Sequence, residues 1–197
     1  MTQRIELFYD FRSPYSYLAY TQLREMPVEI VYRPIRVLKL MEIVGNTPTT
    51  ITCAVKGKYA RADLARWGVR YGVVINPSNM RENDGDACSR AVLSAASPME
   101  ADAITVALYR AIWSEAKTLA NSGDVLVAIR SAGIDTTQIS MRIDRPEAVA
   151  QLDANTQEAA QRGVFGSPSI FVGQTLFFGN DRLDFVREEI ARLETAA

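Results

Sequence analysis

The N-terminal part of the chain carries two strand patterns with one helix pattern between them, and this order restricts the possible folds more than any other feature. Arg4–Tyr9 is a β-rich run with alternation, and Val28–Arg33 alternates more clearly. Between them, Pro14–Met26 is typical of a helix, because proline is favoured at the first helical position and Ser13 can cap it. A strand, a helix and a second strand this close together predict a βαβ unit with parallel strands.

Strand patterns return in the C-terminal part of the chain. Ser169–Val172 is an apolar run, and Gly173-Gln174 suits a two-residue hairpin turn leading into Leu176–Phe178. A helix pattern follows, and its inner face is predicted to contain Leu183, Val186, Ile190 and Leu193. The order in this part is therefore strand, strand, helix.

The residues between these two parts indicate helices. One apolar face has helical spacing and consists of Ala60, Leu64, Trp67 and Tyr71. Met99–Thr118 is apolar around most of its circumference, as expected for a helix that is buried on several sides. The order predicts an α/β protein with a thioredoxin-like fold and a large helical domain inserted between its βαβ and ββα halves. We place the thioredoxin-like domain at residues 1–39 and 146–197 and the inserted helical domain at residues 40–145.

The chain contains no histidine, and this absence removes several kinds of chemistry. Without imidazole there is no Ser-His-Asp or Cys-His nucleophile pair, and no zinc site of the usual histidine-containing kinds. Cys53 and Cys88 stand in neither a C-x-x-C pattern nor a metal-ligand spacing, so we expect ordinary thiols. The sequence therefore predicts no metal site.

The charge balance and the apolar runs argue against two classes of partner. The chain has 22 basic and 23 acidic residues without a block of like charges, which argues against binding to nucleic acid or to a membrane surface. No apolar run is long enough to span a bilayer, and the N-terminal residues lack the pattern of a secretion signal. We therefore expect a cytoplasmic protein.

The turn into the first helix carries Ser13-Pro14-Tyr15-Ser16. In thioredoxin-like proteins this position holds C-x-x-C, where backbone N–H groups and the helix dipole stabilise a thiolate. A serine hydroxyl is not acidic at neutral pH, so dithiol redox chemistry is lost while the anion site is kept. The sequence predicts that a ligand brings the thiolate and that Ser13 donates a hydrogen bond to its sulfur. The alternative is that Ser13 only caps the helix.

Two further segments place polar residues next to predicted elements. Ser167-Pro168 precedes a strand, and a cis peptide bond there would leave the Ser167 N–H and C=O free to pair with an extended peptide. Asn180 and Asp181 open the last helix, where free N–H groups suit a ligand carboxylate and Asp181 could accept from an ammonium group. The alternative is that Asn180 or Asp181 is only a helix cap.

The ordered combination of these segments resembles one known family. The matching segments are Ser13-Pro14-Tyr15-Ser16-Tyr17, Gly45-Asn46, Lys56-Gly57-Lys58-Tyr59, Gly163-Val164-Phe165-Gly166-Ser167-Pro168 and Phe178-Gly179-Asn180-Asp181-Arg182. Together they look like the 2-hydroxychromene-2-carboxylate isomerases and their relatives, the kappa-class glutathione transferases, which have a DsbA-like thioredoxin fold. The resemblance covers nearly the whole chain.

The resemblance implies glutathione as the cofactor. The implied catalytic residue is Ser13, which would contact the glutathione sulfur. The implied glutathione-binding residues are Asn46, Lys56, Ser167, Pro168, Asn180 and Asp181. In the family the loop Asn and Lys hold the tripeptide, the residue before the cis proline pairs with it through its backbone, and the last two residues hold its γ-glutamyl end.

The resemblance also implies a reaction on a small aromatic molecule, the conversion of 2-hydroxychromene-2-carboxylate to trans-o-hydroxybenzylidenepyruvate in aromatic degradation. A bound thiolate adds to the conjugated system, the new single bond rotates, and the thiolate leaves. The alternatives are a kappa-like glutathione transferase that conjugates electrophiles and a non-catalytic thioredoxin-like module that binds peptides at the Ser167 edge. Relatives are commonly dimers, so we expect a homodimer.

Two regions depart from the family pattern, and both are expected to face the aromatic substrate. Arg36 stands where relatives usually carry an apolar residue, and Asn76–Asp86 is more polar than the family pattern. Arg33 and Arg36, at the end of the second strand, are candidates to hold the substrate carboxylate. The alternative is that both arginines face solvent.

Overall fold

The computed structural model of the protein describes residues 3–196. Its four-stranded sheet has the order β2-β1-β3-β4. The strands are β1 (Gln3–Tyr9), β2 (Val28–Pro34), β3 (Ser169–Val172) and β4 (Thr175–Phe178). β1 pairs in parallel with β2, whereas β1–β3 and β3–β4 are antiparallel. The predicted parallel unit and the predicted hairpin are both confirmed.

Most of the remaining chain is helical. The helices are α1 (Pro14–Leu23), α2 (Val37–Ile43), α3 (Thr49–Thr52), α4 (Ala54–Tyr71), α5 (Gly85–Leu93), α6 (Pro98–Trp113), α7 (Ser122–Ser131), α8 (Thr137–Arg142), α9 (Pro146–Gln161) and α10 (Leu183–Ala196), with a 3-10 turn at Asn180–Arg182. None of these helices, as far as residues 3–196 show, is long and apolar enough to cross a membrane. The fold class is the predicted one, α/β with helices between the βαβ and ββα halves.

The central strand β1 is covered on both faces, one of them by a continuous apolar set of side chains and the other chiefly at Phe8. Ile5, Leu7 and Tyr9 face a large core that also includes side chains of α5 to α8. Phe8 faces a smaller core formed with Ile35, Leu40, Ala159, Val164 and Phe171. Since β1 is covered on both sides, its carboxyl end is fixed, and the residues that follow it are held in place.

Two helices end earlier than the sequence suggests, each for a local reason. α1 ends at Leu23 rather than Met26, because Pro27 disfavours helical backbone in the residue before it. α6 ends at Trp113 rather than Thr118. Beyond it, Ala116 adopts a left-handed backbone with φ of 54°, which a continuing helix does not allow.

The division into two domains stays a prediction. The boundary proposed between residues 39 and 40 lies inside α2. The large core joins strand residues such as Ile5 and Leu7 with helical residues such as Ile104 and Ile129 in one continuous cluster. The helical block and the sheet therefore share buried surface.

Candidate active site

Ser13 caps α1 and also reaches the opposite loop. Its backbone is extended, with φ of −93° and ψ of 113°, and its Oγ accepts from the Ser16 N–H at 3.2 Å. The same hydroxyl donates to the Ser167 carbonyl at 3.1 Å. The capping alternative is thus correct as local structure, and the hydroxyl additionally faces the segment before β3.

The Ser167–Pro168 peptide bond is cis, as predicted. The expectation that the Ser167 carbonyl is free is wrong, because this oxygen accepts from Ser13. The Ser167 N–H, in contrast, makes no hydrogen bond within the described part of the chain. Pro168 is buried, and its carbonyl accepts from the Gly179 N–H at 3.0 Å. The segment before β3 therefore offers a free backbone donor beside the Ser13 hydroxyl.

Asp10, directly after β1, joins the loops of the site, and the sequence analysis missed it. Its carboxylate is 1% exposed and accepts from Arg12 through the backbone N–H, Nε and Nη2 at 2.8, 3.1 and 3.0 Å. It also accepts from the Val37 N–H at 3.0 Å. Meanwhile the Asp10 N–H donates to the Ser167 hydroxyl at 3.0 Å. One buried residue thus fixes the starts of α1 and α2 and the segment before β3.

Arg12 continues this network to the surface. Burial lowers the pKa of its guanidinium, but the Asp10 and Asp86 carboxylates raise the pKa by more, so the net change is upward. Its Nη2 lies 3.2 Å from Asp86 Oδ1. The other oxygen of Asp86 accepts from Arg36 Nε at 2.6 Å, and Arg36 also pairs with Asp153. Arg36 is therefore linked to the Ser13 loop through a shared carboxylate.

Arg33, the other arginine predicted to hold substrate, lies elsewhere. Its Nε is 3.1 Å from Glu6 Oε2, and its Nη1 is 3.7 Å from Glu158 Oε2. Arg162 pairs with the same two carboxylates, at 2.8 Å from Glu6 and 3.1 Å from Glu158. The hydrogen bond from Arg162 lowers the pKa of Glu6, and burial partly offsets this. Arg33 and Arg36 both pair with carboxylates, so neither is the solvent-facing strand end that the alternative supposed.

Asn46 lies on the exposed loop after α2, and Lys56 lies exposed in the first turn of α4. Asn46 Nδ2 donates to the Phe165 carbonyl at 2.8 Å, two residues before Ser167. Lys56 Nζ donates to Thr49 Oγ1 at 3.3 Å. The structure thus joins Asn46 directly to the segment before β3, whereas Lys56 remains on the α3–α4 surface.

Asn180 has an unusual environment at the start of the 3-10 turn. It is 3% exposed, and its Nδ2 has no hydrogen-bond partner within residues 3–196. Its carbonyl accepts from the Tyr71 hydroxyl at 2.7 Å. Asp181 next to it is exposed and pairs with Arg182 at 2.5 Å. A buried amide without a partner is costly, so this corner is suited to a ligand that accepts from Asn180.

Tyr15 and Asp63 form another pair that the sequence analysis missed. The Tyr15 hydroxyl donates to Asp63 Oδ2 at 3.1 Å and so joins α1 to α4. Burial raises the pKa of Tyr15, and the charges of Asp63 and Asp181 raise it further. α1 contacts both α4 and the 3-10 turn, so these elements border a common region. No sequence pattern marks this contact, since its members are 48 residues apart.

The cysteines show no sign of redox chemistry. Both are free thiols; Cys53 is half-buried and Cys88 is fully buried. Burial raises the pKa of Cys88 strongly, which keeps it protonated and unreactive. Over residues 3–196, no group of three or more Cys, Asp or Glu side chains is arranged to hold a metal ion.

A cleft of about 210 Å³ beside β2 and α6 offers no comparable chemistry. Its carboxylate, Asp102, accepts from Tyr20 at 2.8 Å and from Tyr32 at 2.5 Å. Arg24 pairs with the second oxygen of Asp102 at 3.1 Å. The polar groups of this cleft satisfy one another, so the Ser13 region is the better candidate.

Comparison with known proteins first defines the class. Residues 4–191 match the family model described as the DSBA-like thioredoxin domain. The chain is therefore a DsbA-like thioredoxin-fold protein in which serines replace both cysteines of the C-x-x-C position.

Individual relatives then define the family. The 2-hydroxychromene-2-carboxylate isomerase of Sphingobium xenophagum is 32% identical over 192 residues, covering 94% of this chain and 97% of the relative. A solved structure of a 2-hydroxychromene-2-carboxylate isomerase superposes with a TM-score of 0.86 at 26% identity, covering 96% of this chain and 95% of that one. Human glutathione S-transferase kappa 1 is 26% identical over 204 residues, covering 94% and 90%. The chain belongs to the 2-hydroxychromene-2-carboxylate isomerase family, and these relatives support an isomerase.

Proposed function

We propose that the protein is a glutathione-dependent isomerase that converts 2-hydroxychromene-2-carboxylate to trans-o-hydroxybenzylidenepyruvate. The observation that carries this proposal is the Ser13 hydroxyl, which stands at the N-terminus of α1 and 3.1 Å from the carbonyl before the cis proline. The relatives that bear the isomerase name support the reaction. Serine in place of cysteine excludes a dithiol mechanism at this position and leaves a site for a thiolate that a ligand brings.

The proposed thiolate lies at the start of α1. The first turn of the helix has backbone N–H groups without partners inside the helix, and the helix dipole favours an anion there. The Ser13 hydroxyl would turn from the Ser167 carbonyl to the sulfur and donate to it. A hydrogen bond to a charged acceptor is worth about 1.5 to 3 kcal/mol, which favours the thiolate over the thiol.

The rest of glutathione would extend from this point in both directions. The free Ser167 N–H would pair with the tripeptide backbone, as in the addition of a strand to a sheet edge. Asn46 and Lys56 would hold the glycyl side. The partnerless Asn180 Nδ2 would donate to the γ-glutamyl carboxylate, and Asp181 would accept from the ammonium group.

The reaction needs no oxidant, and it does not consume glutathione. The hemiketal ring of 2-hydroxychromene-2-carboxylate first opens: the bond between C2 and the ring oxygen breaks, and the hemiketal hydroxyl becomes a ketone as its proton passes to the phenolate oxygen. The thiolate then forms a C–S bond with the resulting conjugated cis enone, and the electron pair of the C=C bond moves toward the ketone carbonyl. The resulting single bond rotates, the C–S bond breaks, and the double bond reforms with the thiolate released. Glutathione is therefore regenerated in every turnover.

The substrate carboxylate would bind at the Arg36 side of the site. Arg36 shares Asp86 with Arg12, and Arg12 precedes Ser13, so Asp86 links Arg36 to the loop that carries Ser13. Guanidinium groups hold carboxylates bidentately. Arg33 is less suited, because its carboxylate partners, Glu6 and Glu158, do not link it to the Ser13 loop.

A second candidate function is a glutathione transferase, which the similarity to the kappa-class enzymes favours. The two reactions differ in the fate of glutathione, because a transferase consumes one molecule per product. The test combines the protein with an excess of 2-hydroxychromene-2-carboxylate and substoichiometric glutathione. We expect isomerisation of the excess substrate to reach equilibrium with glutathione fully recovered. Conjugation of a neutral aryl halide without isomerisation would favour the transferase, and inactivity on both would favour a binding module.

The homodimer and the cytoplasmic location are also part of the proposal. Exposed apolar side chains on α3 and α4, namely Ile51, Val55 and Tyr59, offer a surface of the kind that subunits bury. Sedimentation equilibrium would test the dimer: a mass near 21.8 kDa at all concentrations would contradict it.

A further inference from the structure

Ser16 is the second serine of the Ser13–Ser16 segment, and the proposed reaction gives it no role. Its side chain is fully buried. Its Oγ lies 2.5 Å from the Oγ of Ser167, which is 151 residues away in the chain. A short contact between hydroxyls of two loops that border one site calls for an explanation beyond helix packing.

The Ser167 hydroxyl is held from both sides. The Asp10 N–H donates to it at 3.0 Å, and the Ser16 hydroxyl approaches it from α1. The Tyr109 phenol donates to the Asp10 carbonyl at 3.4 Å. These hydrogen bonds connect the end of β1, the first turn of α1, α6 and the segment before β3.

We infer that Ser16 is a positioning residue that, through the Ser167 hydroxyl, fixes the Ser167 backbone in the orientation in which it receives the glutathione peptide. The inference rests on the proposed function, since it concerns the same site. The Ser167 N–H makes no hydrogen bond in the described residues, so no acceptor fixes the direction of this donor. A backbone donor that is fixed before binding loses less freedom when the ligand arrives.

The experiment is a double-mutant cycle on glutathione binding. Isothermal titration of glutathione is carried out on the wild type, Ser16→Ala, Ser167→Ala and the double variant. We expect Ser16→Ala to weaken binding by about fivefold, as for one net hydrogen bond. The double variant should bind like Ser167→Ala alone, because the two hydroxyls act as one unit.

The matched control is Ser94→Ala. Ser94 is also a buried serine, but its hydroxyl donates only to the Arg90 carbonyl of its own helix, at 2.8 Å. We expect this variant to bind glutathione like the wild type. In turnover assays Ser16→Ala should raise the KM for glutathione by about fivefold while kcat changes by less than about twofold.

The outcomes separate the inference from the proposed function. If the wild type binds glutathione and Ser16→Ala binds equally well, the positioning role is wrong while the function stands. The same holds if Ser16→Ala lowers only the melting temperature, or if the two single losses add in the double variant. If the wild type itself does not bind glutathione, both the function and the positioning role are overturned.

Discussion

At the scale of single residues, Ser13 shows how one side chain serves both structure and chemistry. Its Oγ accepts from the first turn of α1, and its hydrogen is directed to the Ser167 carbonyl. The acceptor role caps the helix whether or not a ligand is present. The donor role is available to a thiolate, because the hydroxyl needs only to rotate.

Ser13→Ala tests the donor role. The substitution removes one hydrogen bond to the thiolate, so the pKa of the bound glutathione thiol should rise by roughly 1 to 2. The absorbance of the thiolate, at about 240 nm, is measured as a function of pH with saturating glutathione. Ser94→Ala serves as the control, and an unchanged titration curve for Ser13→Ala would remove this residue from the mechanism.

Asp10→Asn tests the buried carboxylate that joins the loops. The amide offers one acceptor oxygen where the carboxylate offers two, and it leaves Arg12 without its buried counter-charge. We expect the free energy of unfolding to fall by about 3 kcal/mol. Urea denaturation measures this, with Asp144→Asn as the control, since that side chain is 63% exposed and should lose less than about 1 kcal/mol. Equal losses in both variants would contradict the structural role of Asp10.

The sequence identified the residues of this site whose positions are marked by local patterns. Ser13, Pro168 and Asn180 stand at element starts, where capping and turn rules apply. Asp10 was missed, and Ser16 was named only as part of the turn, because no local pattern in the chain reveals their contacts with the distant Ser167. Arg33 was proposed for the substrate because it ends β2, yet side-chain alternation directs it to Glu6 and Glu158.

At the scale of elements, Gly85 at the start of α5 lies in close contact with Arg12 of the Ser13 loop. A Cβ at this position would lie 2.7 Å from Arg12 Nε and 3.1 Å from its Cδ and Cγ. Arg12 has little freedom to withdraw, because Asp10 and Asp86 hold its guanidinium. The glycine therefore allows α5 and the loop after β1 to come together.

Gly85→Ala should cost about 1 to 3 kcal/mol of unfolding free energy, as overpacking typically does. The cost should vanish in an Arg12→Ala background, because the clashing side chain is then absent. Thermal denaturation of the wild type, both single variants and the double variant measures this. A similar loss in both backgrounds would show that Arg12 is not the side chain that Gly85 accommodates.

The ion pairs between β1, β2 and α9 give an element contact that depends on pH. Glu6 has a lowered pKa, chiefly through its hydrogen bond from Arg162, so its contribution to stability is full above its ordinary value of 4.5. That contribution is lost as the pH falls through 4.5 and further through the lowered pKa of the folded state.

Glu6→Gln should therefore destabilise the protein by about 1 kcal/mol at neutral pH and progressively less at more acidic pH. Melting temperatures are compared with the wild type at several pH values. Glu29→Gln is the control, because Glu29 is 52% exposed and lies 3.8 Å from Arg4. A wild-type advantage that stays constant below pH 4 or so would contradict the role of Glu6.

The extents of the helices illustrate what local rules leave open. The start of α1 at Pro14 and the turn between β3 and β4 were predicted correctly, because proline and glycine fix backbone angles. The end of α1 was predicted too late, although Pro27 supplies a local reason for an earlier end.

At the scale of the whole molecule, the fold brings three distant segments to one place. The loop after β1 supplies Ser13, the segment before β3 supplies Ser167, and the turn before α10 supplies Asn180. Their meeting follows from the sheet order, in which β1 lies beside β3 and β3 beside β4. The βαβ and ββα patterns predicted the parallel β1–β2 unit and the β3–β4 hairpin within a thioredoxin-like fold. The packing of the intervening helices depends on side-chain fit that a single sequence does not reveal.

The central claim is that this site uses glutathione as a regenerated cofactor to isomerise a chromene carboxylate. The most direct measurement is the initial rate of isomerisation of 2-hydroxychromene-2-carboxylate as a function of glutathione concentration, with S-methylglutathione as the control. We predict a rate that is near zero without glutathione, that rises to saturation, and that S-methylglutathione does not restore because it has no thiol. A rate that is independent of glutathione, or that S-methylglutathione supports equally well, would contradict the claim.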